Sequence, residues 1–155
     1  MPANNRDRHH PNHGVQDKDD RTTVVFVTVA TVHRLPWLAT EEYHQLLHNT
    51  WLAATHWLVG PYLMMPDHLH FFAARGMLDY SLESWMTYWK REFSQALHRQ
   101  RRLQTDHWDT RIRNGADFTD KWNYVQANPV RKGLCTAPED WLYCGTVHEW
   151  MYMGP

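Results

Sequence analysis

The 155-residue chain is predicted to fold as an α+β sandwich, an antiparallel sheet backed by helices. Three observations carry that prediction. Short β-branched or aromatic runs alternate with stretches in which apolar residues recur every three or four positions. The second and third runs are separated only by Pro66-Asp67, a tight turn that makes them a hairpin. A 43% hydrophobic fraction over this length supports one core without staples, and Cys135 and Cys144 form neither a disulfide framework nor a Cys-x-x-Cys site.

The elements follow in order. Residues 1–21 are polar, mixed in charge and almost free of aliphatics, and are expected to be a disordered arm before a single domain at 22–155. His9, His10 and His13 lie in that arm, where a floppy His-rich terminus explains them without a metal. Residues 22–32 (TTVVFVTVATV) are the first strand, broken at Leu35-Pro36-Trp37. Thr40 has the character of an N-cap, with Glu41 and Glu42 in the first turn of a helix reaching about Leu52. Residues 55–65 form the second strand, with a bulge or bend at Gly60-Pro61, and residues 68–74 the third.

Ser81 opens a long helix whose stripe is Leu82, Trp85, Met86, Trp89, Phe93, Ala96 and Leu97. Residues 107–113 are a short fourth strand, Asn114-Gly115 a turn, and 117–128 a helix that Pro129 ends. The tail, with Pro138, Trp141, Tyr143, Gly145 and Trp150, is expected to be irregular and held to the body by its aromatics. The order β-α-β-β-α-β-α is that of a ferredoxin-like sandwich.

Composition narrows the function classes. No 18-residue apolar run exists, so no transmembrane helix is expected, and the N-terminus lacks the apolar centre of a signal peptide. A reducing cytoplasm is the expected compartment. Net charge is −1, yet residues 85–132 hold ten Lys or Arg against five acids and the rest of the chain carries −6. That asymmetry fits a protein meeting nucleic acid with one face, and a solvated helix face would produce part of it. Nine Trp, seven Tyr and five Phe imply either a Trp-rich core or a surface on which bases stack.

The chemistry concentrates in Asp67-His68-Leu69-His70-Phe71 and Tyr124-Val125-Gln126-Ala127-Asn128-Pro129. On a strand His68 and His70 share a face and can converge on one metal ion. On a helix Tyr124 and Asn128, four apart, share a face as well. An amide oxygen beside two imidazoles would leave positions open for phosphate oxygens, and the oxygen ligands favour Mg²⁺ or Mn²⁺. Tyrosine ionises near pH 10 and is a weak nucleophile until a nearby cation favours the phenolate. Asn before Pro also terminates helices, which is the structural alternative for Asn128. Lys90, Arg91, Arg111, Arg113, Arg131 and Lys132 are candidate DNA-phosphate contacts.

The segments Met65-Pro66-Asp67-His68-Leu69-His70-Phe71-Phe72, Lys121-Trp122-Asn123-Tyr124-Val125-Gln126-Ala127-Asn128-Pro129-Val130-Arg131-Lys132-Gly133-Leu134 and Pro138-Glu139-Asp140-Trp141 resemble the REP-associated tyrosine transposases, a branch of the single-tyrosine HUH transposases. The likeness runs from the first strand to about Gly145. It implies an HUH endonuclease fold and a metal-dependent single-stranded DNA endonuclease and strand transferase acting on hairpin-forming repetitive DNA. By that resemblance His68, His70 and Asn128 are metal ligands and Tyr124 attacks the scissile phosphate, holding a 5′-phosphotyrosine. It further implies hairpin or single-stranded DNA as partner, a monomer more often than a dimer, and a bacterial, nucleoid-associated setting. Asp67 stands where many relatives have Asn. A domesticated protein that grips hairpins without cutting is the alternative, and a water-dependent phosphodiesterase a third reading.

Overall fold

The computed structural model describes residues 23–77 and 79–150, so the N-terminal arm expected at 1–21 lies outside the described residues. The elements are β1 (Val24–Ala30), α1 (Glu41–Ala53), β2 (Trp57–Met64), β3 (His68–Arg75), α2 (Leu82–Ser94), β4 (Trp108–Arg111), α3 (Gly115–Gln126), α4 (Asn128–Arg131) and β5 (Cys144–Thr146). The sheet order is β4-β1-β3-β2-β5 and every pairing is antiparallel. The first four strands have the ferredoxin-like order, so the α+β prediction holds.

Both long helices start at the predicted caps. The Thr40 and Ser81 side chains accept from the Tyr43 and Ser84 N–H groups, satisfying donors that the helix leaves without partners. One sheet face, built from Val25, Val27, Val29, Leu69, Phe71 and Ala73, packs on Tyr43, Leu47 and Trp51 of α1 and on Trp85, Met86, Trp89 and Phe93 of α2. Each such side chain contributes about 1.5–3 kcal/mol by burial. The aromatic surplus is largely core: Trp51, Trp57, Trp85 and Trp89 are fully buried and none of the nine tryptophans is exposed. Two of the buried indoles donate to backbone, Trp85 Nε1 to the Ala54 carbonyl at 2.8 Å and Trp57 Nε1 to the Tyr80 carbonyl at 2.9 Å, whereas Nε1 of Trp37 and of Trp51 is buried without a hydrogen-bond partner among the described residues.

The expected bulge is a register shift between Val59 and Tyr62. Strand side chains alternate faces, so the extra residue exchanges odd for even. Trp57 and Val59 face α1 and α2 before the shift, Tyr62 and Met64 after it, and Leu63 and Met65 join the opposite face. That second face is covered by α3 through Phe118, Trp122 and Val125.

Two boundaries differ from the sequence reading. The tail contains β5, which pairs with β2 over Pro61–Leu63 because the bulged edge leaves ladder groups to be satisfied. Pro129 does not simply stop a helix: α3 ends at Gln126, and Pro129 sits in the first turn of α4, where its missing N–H costs nothing.

The turn after β3 is tight. A Cβ at Gly76 would lie 2.5 Å from the Thr55 carbonyl oxygen and 3.0 Å from that of His56, both backbone atoms. Gly76→Ala is therefore expected to destabilise the fold by about 1–3 kcal/mol through forced backbone displacement. Urea denaturation checks this; an unchanged midpoint would show that the turn relaxes freely.

Candidate metal centre and DNA-processing site

His68 and His70 fall on the α3 face of β3, opposite Ala30 and Thr28 of β1. Their rings are 4.8 Å apart, centroid to centroid, at 83° to one another. Each has its Nδ1 engaged. His68 Nδ1 lies 2.7 Å from Asp67 Oδ1, and an ionised carboxylate can only accept, so Nδ1 carries the proton. His70 Nδ1 is 2.8 Å from Thr28 Oγ1. These partners orient the rings and leave Nε2 of His68 as a lone-pair donor, the arrangement that supports metal-binding histidines.

Tyr124 comes from α3 and Asn128 from the first position of α4, so the helix break keeps the two on adjoining turns. Asn128 is buried and its amide lies 3.4 Å from His68 Nε2. The amide directs Nδ2 to His68 and Oδ1 to Arg131 at 3.3 Å; a half-turn of the amide exchanges these and brings the oxygen to the histidines. Tyr124 is 67% exposed, so its hydroxyl is accessible to a macromolecular substrate. The Arg131 guanidinium lies 3.8 Å from the Tyr124 ring centroid and donates to the Tyr124 carbonyl at 2.9 Å. Tyr124, Asn128, His68 and Asp67 line one cavity of about 670 Å³ together with Arg34, Arg131 and Lys132.

Electrostatics keeps the imidazoles neutral. Burial pushes His70 down to about 3, assisted by His68, Arg34 and Arg131. His68 is lowered chiefly by burial, with Asp67 opposing and Arg34 and Lys132 assisting. Burial would raise the Asp67 carboxyl, but hydrogen bonds with His68 and Arg34 bring it below its ordinary value.

The other predicted phosphate contacts do not gather here. Lys90 is largely buried on α2, donates to the Gln104 and Thr105 carbonyls at 3.0 Å each, and is pushed down to about 8 by burial. Arg91 sits over Tyr88 on the same helix, with its guanidinium carbon 5.8 Å from the ring centroid. Arg111 is on the edge strand β4, and Arg113 lies 3.7 Å from Asp117. Arg131 and Lys132 alone of the six line the cavity.

Two features went unread in the sequence. Arg34 reaches Asp67 Oδ2 with Nε at 3.0 Å. Both His33 (φ 58°) and Arg34 (φ 56°) are left-handed, a cost of about 1–2 kcal/mol each that nothing in the residue types announces. The second is a donor cluster on the other sheet face, where Glu83, His107 and Asp109 have ligand atoms within 4.8 Å of one another and could hold a cation. His107 Nε2 is 2.8 Å from Asp109 Oδ2 and 3.5 Å from Glu83 Oε1. The His107-x-Asp109 spacing at the predicted fourth strand was the available signal.

No family model matches the chain. A REP-associated tyrosine transposase of Escherichia coli (strain K12) is 25% identical over 126 residues, covering 80% of this chain and 76% of the relative. A solved structure of a REP-associated tyrosine transposase bound to a REP hairpin superposes with a TM-score of 0.70 at 21% identity, over 85% of this chain and 91% of that one. No described helix is long and apolar enough to cross a membrane.

The depressed imidazoles set a pH dependence for the metal-free protein. A histidine unprotonated in the fold and protonated in the unfolded chain below about 6.5 makes the unfolded state the stronger proton binder. For His70 stability is intact above about 6.5 and is lost as the pH falls from there towards about 3. In chelator-treated protein, the unfolding free energy from denaturant titrations should fall between pH 7.5 and 5, by up to about 1.4 kcal/mol per pH unit for one such group, and less in His70→Gln. Equal slopes in the two proteins would contradict the assignment. The resemblance read from the three motifs thus extends over most of the chain, which is similar in sequence and in fold to the REP-associated tyrosine transposases.

Proposed function

We propose that this chain is a REP-associated tyrosine transposase: a metal-dependent single-stranded DNA endonuclease and strand transferase acting on hairpin-forming repetitive DNA. The observation that carries the reading is the shared cavity. An exposed tyrosine, a histidine with its Nε2 lone pair available, a buried amide beside it and three basic side chains line one space. The donor chemistry fits a hard divalent ion. His68, His70 and Asn128 would hold Mg²⁺ or Mn²⁺, which when bound supplies Lewis-acid polarisation of the scissile phosphate.

In this reading the chain's own residues divide the remaining work. Arg131 and Lys132 bind the strand's phosphates. Arg131 also stacks on the Tyr124 ring and holds its carbonyl, fixing where the phenol stands against the cavity. Tyr124 Oη forms a bond to phosphorus as the bond to the 3′ oxygen breaks. The products are a 5′-phosphotyrosine and a free 3′-hydroxyl: the phenolic proton leaves to solvent and the departing 3′ oxygen takes a proton up from it. Attack by a second 3′-hydroxyl forms the new phosphodiester and returns the tyrosine, so joining needs no external energy source. The expected setting is the bacterial cytoplasm, at the nucleoid, with a monomer as the working unit.

Incubation with Mn²⁺ and labelled single-stranded hairpin DNA from the gene's own flanks, followed by denaturing gels, tests this. A covalent protein–DNA adduct is expected, abolished by Tyr124→Phe and reduced at least a hundredfold by His68→Ala. Cleavage that survives Tyr124→Phe would indicate attack by water. Binding without cleavage would favour the domesticated hairpin binder.

A further inference from the structure

We propose that Arg34 is a phosphate-binding residue of this site, supplied from outside the catalytic helix; the assignment rests on the strand-transfer reading above. Arg34 lines the same cavity as Tyr124, Asn128, Arg131 and Lys132. Its Nε edge is committed to Asp67, 3.0 Å away. Its terminal nitrogen stands 3.4 Å from His68 Nδ1, but that ring nitrogen carries the proton shared with Asp67. Two donors facing each other make no hydrogen bond, so the end of the fork is held beside His68 without being consumed by it. A guanidinium fixed along one edge, with donors remaining at its end, suits the oxygens of a phosphate.

Charge supports the same assignment. Asp67 is the one carboxylate among the described residues lining the cavity, and alone it would repel a phosphodiester. Arg34 offsets it, leaving Arg131 and Lys132 to give the lining its positive sign. Strain supports it independently. Two successive left-handed non-glycine residues place Arg34, yet the turn Val32–Arg34 buries none of its residues. Packing therefore does not repay the conformation. The turn is stitched to the Asp67 loop instead, through the Thr31 N–H and hydroxyl to the Asp67 carbonyl at 3.0 and 3.1 Å. An unrepaid strain that aims a cation into a cleft is the pattern expected of a binding residue.

The test is equilibrium binding of a fluorescent single-stranded hairpin oligonucleotide from the gene's flanks, with chelator present, in a Tyr124→Phe background, across a salt series. Arg34→Gly is the informative variant, because glycine takes the left-handed backbone without strain. It should weaken binding roughly tenfold and flatten the slope of log affinity against log salt by about 0.7, the contribution of one single-strand phosphate contact. Its melting temperature should hold or rise. Arg34→Lys should retain the slope. An unchanged slope in Arg34→Gly, or a lowered melting temperature accompanying the weaker binding, would overturn the assignment. No binding by the Arg34-containing protein would contradict the strand-transfer reading itself, and Arg34's role with it.

Discussion

Side-chain alternation along β3, the central strand, is the constraint on which the rest depends. Leu69, Phe71 and Ala73 must enter the core against α1 and α2, so His68, His70 and Phe72 are forced onto the other face. Antiparallel neighbours on both sides hold that register over seven consecutive pairs with β1 alone. A slip of one residue would bury imidazoles among tryptophans and send Phe71 to the site. The stability of the core and the geometry of the histidines are thus one quantity.

The α3 face is divided along its length. At one end Phe72, Phe118 and Trp122 make an apolar seal; at the other lie His70 and His68, with the amide of Asn128 from α4 3.4 Å from His68 Nε2. Phe26 bridges the halves, stacked on His70 at 5.5 Å and packed on Phe72 at 5.0 Å. Apolar cover on one side accounts for the neutral state of His70, while partners at Nδ1 set ring orientation. The helix break between Gln126 and Asn128 then lets Asn128 turn inward while Tyr124 remains at the surface. A buried amide and an exposed phenol four residues apart are accommodated by such a change of direction.

Much of this was legible in the sequence. Caps at Thr40 and Ser81, the bulge at Gly60-Pro61 and the hairpin at Pro66-Asp67 are signalled by residue type because their physics is local. The two-residue period of His68 and His70 likewise puts both on one sheet face, whereas Tyr124 and Asn128, expected on one helical face, lie on two helices, one exposed and one buried, and meet only as lining of the same cavity. Strand β5 was not legible, since three residues pairing to a bulged edge have no periodicity. Basic residues were overcounted: Lys90 has the look of a surface cation, but two carbonyls from the segment before β4 claim it, a contact no local pattern encodes. Arg34 and its link to Asp67 were missed for the same reason, being 33 residues apart and set by two backbone conformations that side chains disfavour.

Pulsed EPR of the Mn²⁺-loaded protein tests the central claim most directly, because it counts the nitrogens bound to the ion. The account predicts couplings from two imidazole nitrogens, reduced to one in His70→Gln. A single nitrogen coupling that persists in a His68→Gln, His70→Gln double variant would place the ion at Glu83, His107 and Asp109 instead, and would contradict the site described here.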